Sequence, residues 1–274
     1  MAASFKPLSD VLGAEVLGID LHRPIADNDA AALRQALLDY HVLLVRQPDV
    51  TDREHMTFCE TFGDIQAERT VPDAESGQVA GMMHVSNVRD DGILPNGEMW
   101  FHSDQCYFDT PCKCTSLYGI ETPKSGGFTR FSNCIAAYND LPAATKARLD
   151  GLVGMNVYDY ASPNMNKKTA DRTPDAPQYA QPVIRSHTET GAKSIYVNRL
   201  MTDSILDIDE AESRTILEDL FTRIEDERYV YEHPWQPGDL VIWDNRCLVH
   251  ARTDFDPAEP RLLRRFSVTG EKPA

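Results

Sequence analysis

The stretch "EMWFHSDQCYFD", residues 98–109, carries a histidine and a carboxylate spaced as His102-x-Asp104. On a strand, residues two apart project to one side, so both side chains would enter one cavity with Ser103 turned away. Far along the chain, "WDNRCLVHARTDF" puts His250 at the end of a strand-like stretch that follows Trp243. Two neutral imidazoles and one carboxylate make the 2-His-1-carboxylate set. It holds one face of octahedral iron and keeps the other positions open for cosubstrate and oxygen. A closed four-ligand structural site would block such chemistry. His102, Asp104 and His250 are therefore the candidate metal ligands and catalytic centre. A second pair of similar spacing, His187-x-Glu189, sits beside the turn residues Thr190-Gly191, where polar side chains are expected to face water.

Arginines follow His250. Arg261 and Arg265 differ by four, so on a strand they share a face about 13 Å apart, while Arg264 points the other way. A guanidinium grips a carboxylate bidentately, which suits the distal end of a dicarboxylate. His84 and Asn87, in "HVSN" upstream of the first motif, are candidate substrate contacts at the mouth of the pocket.

Taken together and in this order, "WFHSD", "GGFT", "WDNRCLVH" and the Arg261/Arg265 pair resemble the TauD/TfdA family of Fe(II)- and 2-oxoglutarate-dependent dioxygenases. The resemblance runs from "GAEVLGIDL" to "RFSVTG". It implies a double-stranded β-helix (jelly-roll) core, with His102, Asp104 and His250 as iron ligands. It implies that Thr129, in "GGFT", and Arg261, eleven residues after His250, bind the far carboxylate of 2-oxoglutarate. Arg265 matches a position that meets the substrate's anionic group. The implied reaction consumes O2 and 2-oxoglutarate, releases succinate and CO2, and hydroxylates a small anionic substrate. A hydroxyl placed beside a heteroatom lets the product fall apart. Two other readings use the same ligand set: a zinc-dependent hydrolase or isomerase on a cupin-like barrel, and a non-catalytic jelly-roll binding protein.

The elements that must position these residues are legible in outline. Helical periodicity and end signals predict helices over 27–40, with Asp27 as cap, and over 51–64, with Thr51 as cap and Gly63 as terminator. Further helices are expected over 141–152 and 207–226. Apolar or alternating runs predict strands over 13–20, 41–48, 114–121, 126–133, 238–245 and 264–270, and a hairpin over 182–198 around Thr190-Gly191. Many short strands with a few peripheral helices indicate a mainly β fold, a sandwich or barrel, in a single domain spanning 1–274. The polar stretches 65–97 and 160–182 read as lid loops. Trp100, Phe101, Tyr107 and Trp243 read as core residues, and Trp243 and Asn245 as supports of the sheet.

The 274 residues carry a net charge of −16, which repels phosphate backbones and anionic lipid and argues against nucleic-acid or membrane partners. Small molecules are the expected partners: substrate, 2-oxoglutarate and O2. A homo-oligomer stays open. The N-terminus lacks an apolar leader and no run is long enough to span a bilayer, so the expected location is cytoplasmic. The six cysteines form no paired framework and read as reduced thiols.

Overall fold

The computed structural model describes residues 2–67, 79–93, 97–158 and 175–273. Its first half runs β1 (Ser4–Pro7), β2 (Ala14–Leu17), α1 (Asp27–Tyr40), β3 (Val42–Arg46), α2 (Asp52–Glu60), β4 (Met83–Ser86), β5 (Met99–His102), β6 (Cys114–Glu121) and β7 (Thr129–Asn133). Then come α3 (Cys134–Asn139), α4 (Ala143–Leu149), β8 (Val153–Val157), β9 (Gln178–Pro182), β10 (Ile184–Ser186), β11 (Lys193–Ile195) and β12 (Thr202–Ile205). The chain closes with α5 (Glu210–Ile224), β13 (Val230–His233), β14 (Asp239–Asp244), β15 (Leu248–Arg252) and β16 (Leu262–Val268). The protein is mostly sheet with few helices.

Two sheets organise it. The larger has seven strands in the order β1-β2-β3-β14-β6-β16-β4, and the smaller has four in the order β13-β7-β15-β5. Residue alternation sorts the core into layers. On β14, Leu240 and Ile242 join Leu33, Leu37 and Phe58 of α1 and α2 in one cluster. Val241 and Trp243, on the opposite face, pack with Phe131 of β7 and Leu248 of β15. The larger sheet is thus covered by helices on one side and by the smaller sheet on the other. A third cluster joins the outer face of the smaller sheet, through Phe101, Val249 and Ala251, to Leu217, Leu220 and Phe221 of α5.

Several expected elements are met closely, and the departures have physical causes. Helix α1 starts at Asp27, but its cap position is Ala26, with no side-chain cap. Asp27 instead sits in the first turn, where its charge suits the helix dipole. Thr51 caps α2 in a full capping box with Glu54. Helix α2 ends at Glu60, before Gly63, whose φ of 147° only glycine adopts readily. The stretch after Trp243 is not one strand: a turn over Asp244–Cys247 separates β14 from β15, moving the chain from the larger sheet to the smaller. The end of the 160–182 loop is strand β9, paired with β8. Most of that loop, 160–174, and residues 68–78 and 94–96 of the other expected lid lie outside the described residues. Among the described residues, no helix is long and apolar enough to cross a membrane. All six cysteines are buried and free.

Arg264 points away from the site, as its spacing predicted, and ties α2 to the sheet. It is 3% exposed; its Nε donates to His55 Nδ1 at 3.1 Å and its Nη2 to the Val50 carbonyl at 2.8 Å. It also pairs with Asp52 and lies over the Tyr118 ring. Burial, and then Arg264 itself, push His55 well down, so the imidazole stays neutral and accepts the guanidinium proton. Arg264→Leu would strand these acceptors. It is expected to cost about 3 kcal/mol in thermal or urea unfolding while leaving metal affinity of the folded fraction unchanged.

Candidate active site

Strand pairing brings the two site histidines together. In the smaller sheet, β15 runs between β7 and β5, and its register sets His250 opposite His102. Their ring centroids are 4.1 Å apart. Strand β5 ends at His102, so Asp104 is not its strand neighbour, contrary to the simple alternation argument. The chain turns there, and Gln105 takes a left-handed φ of 62°. The turn is clamped by Asn245, whose side-chain oxygen accepts from the Asp104 backbone N–H at 2.8 Å. The Asn245 amide nitrogen donates to the Asp104 and Cys112 carbonyls at 2.9 and 3.0 Å.

The Asp104 carboxylate is then fixed by two donors. Thr115 Oγ1 donates to Oδ2 at 2.7 Å, and Arg265 Nη2 lies 3.0 Å from the same oxygen. His102 Nε2 is 3.9 Å from Oδ1, and His250 Nε2 is 3.8 Å from Oδ2. One ligand atom from each of His102, Asp104 and His250 falls within 4.8 Å of the others. His102 Nδ1 bonds the Trp100 carbonyl at 2.9 Å, which fixes the tautomer and leaves Nε2 its lone pair. Burial, and next the adjacent His102, push His250 down to about 3. Burial also lowers His102. Burial would raise the Asp104 carboxyl, but Arg265 and the two imidazoles outweigh it and hold it well below the usual range. Two neutral imidazoles and a carboxylate at neutral pH are the ionisation states that a divalent metal requires, so the donor set fits one.

These side chains line a cavity of about 510 Å³ that also takes in Thr129, Arg252 and Arg261. Arg261 is 2% exposed; its Nε donates to the Gly127 carbonyl at 3.3 Å, and its buried Nη1 has no partner among the described residues. Burial, and then the charge of Arg252, lower its pKa to about 9. A desolvated guanidinium with an unused donor is completed by a carboxylate, so this end of the cavity fits the distal group of a dicarboxylate. The "GGFT" run explains itself here. A Cβ on Gly127 would sit 2.9 Å from Pro123 and 3.3 Å from Arg261, and one on Gly126 would strike the Asp254 carbonyl at 2.2 Å.

Some expectations do not hold. On β4 it is Met83 and Val85 that face the cavity, so His84 points to the other side, 3.3 Å from Asp91. Asn87 does not line the cavity either. Its side chain accepts from the Arg261 N–H at 2.8 Å and donates to the Pro257 and Glu259 carbonyls, setting the approach to Arg261. Tyr107, expected in the core, lines the cavity; Trp243 is in the core as expected and also touches the cavity, its ring tilted against that of His250 at 4.7 Å. Arg265 lines the cavity as expected, but its nearest partner is Asp104. Thr115 and Arg252 escaped sequence reasoning, and Asn245, read as a support of the sheet, also clamps the turn that carries Asp104. A buried threonine and serine inside the otherwise apolar strand "CTSLYGI" was the available signal for Thr115.

His187 is 2% exposed rather than facing water. Its Nε2 lies 3.0 Å from Asp244 Oδ2, and Cys247 completes a second group at ligand spacing. That group is already satisfied without a metal. Arg246 bonds Asp244 through Nε at 2.9 Å and Nη2 at 2.7 Å, and the backbone N–H groups of Glu189 and Thr190 converge on His187 Nδ1. A guanidinium in that position repels a second cation. The cluster locks the β10–β11 hairpin to the turn after β14.

The family described as "Taurine catabolism dioxygenase TauD, TfdA family" matches residues 4–267. The chain belongs to the TauD, TfdA family. It is 30% identical to the (S)-phenoxypropionate/alpha-ketoglutarate-dioxygenase of Sphingobium herbicidovorans, over 98% of this chain and 96% of that one. Among solved structures, a taurine dioxygenase from Burkholderia xenovorans superposes with a TM-score of 0.84 at 28% identity, covering 100% of this chain and 91% of that one. AAD-2 in complex with Mn(II) and N-oxalylglycine superposes equally well, at 0.84 and 29% identity, over 100% of this chain and 99% of that one. This TauD/TfdA member is a dioxygenase that depends on Fe(II) and 2-oxoglutarate.

His102→Ala removes one imidazole from the cluster without touching the Asn245 clamp. Calorimetric titration with Mn(II) is expected to show affinity reduced more than about 100-fold, with the unfolding midpoint of the metal-free protein little changed.

Proposed function

We propose that His102, Asp104 and His250 hold the ferrous ion and that Arg261 and Thr129 hold the far carboxylate of 2-oxoglutarate. The reading rests on one observation: the three ligand atoms gather within 4.8 Å on the wall of the cavity that Arg261 and Thr129 also line. When bound, iron supplies the O2 activation that couples decarboxylation of 2-oxoglutarate to hydroxylation of a C–H bond, yielding succinate, CO2 and the alcohol. The chain's own residues do the positioning. Thr115 and Arg265 orient the Asp104 carboxylate, and Trp243 and Phe131 wall His250. The two facing sheets are read as the double-stranded β-helix of a single domain, with the stretches around 65–97 and 160–182 as its lids.

The prime substrate is read as an anion with an apolar body. Met83, Val85, Leu117 and Met201 line the cavity together with Tyr107 and Phe108. Among the described lining residues there are three arginines and one carboxylate, Asp104, which is already paired. Among the described residues an ammonium group would find no free counter-charge, whereas an anion finds Arg265, whose buried Nε has no partner there. This favours an acid such as the aryl ether named for the Sphingobium relative over the aminosulfonate named for the Burkholderia structure. The zinc hydrolase and the binding protein have no use for a buried dicarboxylate clamp.

Succinate release from 2-oxoglutarate under air would be followed with iron-loaded protein and length-matched pairs of acids. Aryloxy or alkyl carboxylates and sulfates are expected to stimulate it at least about tenfold more than aminoalkyl sulfonates, because a buried unpaired ammonium is costly. Preference for the amines would overturn the substrate class. Absence of succinate with every acid would overturn the reaction.

A further inference from the structure

The hydroxyl of Thr129 is held from behind by an indole. Trp235 Nε1 donates to Thr129 Oγ1 at 2.9 Å, and both residues are buried. An indole N–H can only donate, so in this pair the threonine oxygen is the acceptor. A hydroxyl has one proton, and among the described residues that proton has no acceptor of its own. With one lone pair taken by Trp235, the proton is confined to directions away from the indole, and Thr129 lines the cavity beside Arg261.

We propose that Trp235 is a positioning residue for 2-oxoglutarate: it turns Thr129 into an obligate donor, aimed at the carboxylate that Arg261 grips. This rests on the Thr129 and Arg261 reading above and adds the group that fixes the direction of the proton.

The indole is itself immobilised. Strand β13 pairs with β7 so that His233 stands opposite Thr129, and Pro234 then turns the chain so that Trp235 comes back over the same residue. The His233 ring meets the indole edge-on at 4.8 Å, and Trp235 packs among Val241, Trp243 and Leu263 between the two sheets. Gly119 leaves room behind it, since a Cβ there would lie 3.4 Å from the indole Cε3 and 3.0 Å from the Gln236 carbonyl. A donor fixed in advance need not be reoriented when the anion arrives, and hydrogen bonds from a polarised chain are stronger than isolated ones.

The test uses full-length Mn(II)-loaded protein and the dissociation constant of N-oxalylglycine, read by calorimetry. Thr129→Val removes the donor and is expected to weaken binding roughly tenfold or more. Trp235→Phe keeps the ring but frees the hydroxyl, and is expected to weaken it roughly threefold to tenfold. Trp235→His, which restores an N–H, is expected to recover part of the loss. The double variant Trp235→Phe/Thr129→Val is expected to match Thr129→Val alone, since the indole acts only through the hydroxyl. An additive double variant, or a Trp235→Phe protein of unchanged affinity, would overturn the positioning role. Unchanged affinity in Thr129→Val would instead overturn the Thr129 reading beneath it. A readout that does not need a Trp235 variant to fold is the indole N–H region of a 15N spectrum. The chain has three tryptophans, and Thr129→Val alone should move one of their signals in the ligand-free protein. No movement would count against the hydrogen bond.

Discussion

The site depends on a register. His250 and His102 face each other because β15 pairs with β5 in one alignment, and a slip of β15 by a single residue would turn the His250 imidazole out of the cavity. That alignment buries two imidazoles and a carboxylate side by side, which is costly unless each polar atom is engaged. The surrounding contacts meet most of that requirement, while His250 Nδ1 stays buried without a hydrogen-bond partner among the described residues. Trp100 fixes one histidine, Thr115 and Arg265 fix the carboxylate, and Asn245 fixes the backbone that carries it.

The same alternation that makes the core also separates chemistry from support. On β16, Leu263 faces the smaller sheet and Arg265 the site, while Arg264 and Phe266 face the helices. On β6, Thr115 and Leu117 face the site, while Ser116 and Tyr118 face α2 and its surroundings. Adjacent arginines thus serve opposite ends: Arg264 anchors a helix and Arg265 orients a ligand. The net charge of −16 stops at the cavity wall, where three arginines meet one carboxylate. A cationic cavity wall within an acidic shell favours small anions at the site.

Much of this was legible in the letters, and the remainder was not for identifiable reasons. Strand β6 and helix α1 were readable to the residue because periodicity and turn signals bound them sharply. His102, Asp104 and His250 were legible as a ligand set by type. Their route to convergence was not, since Asp104 arrives by a turn and His250 by a change of sheet. His84 and Asn87 were misread because a four-residue strand has no clear phase in sequence; one face of β4 belongs to Met83 and Val85. His187 was misread because its partner, Asp244, lies 57 residues away. Asn245 and Trp235 act through hydrogen bonds across the fold, and local pattern carries no trace of such bonds.

The central claim is that one divalent ion sits among these three side chains. Anomalous diffraction from a crystal grown with Mn(II) tests it most directly. A single strong peak is expected at bonding distance, roughly 2.0–2.3 Å, from His102 Nε2, His250 Nε2 and an Asp104 oxygen. A peak instead at the His187, Asp244 and Cys247 group, or none near His102 in protein that retains its metal, would contradict it.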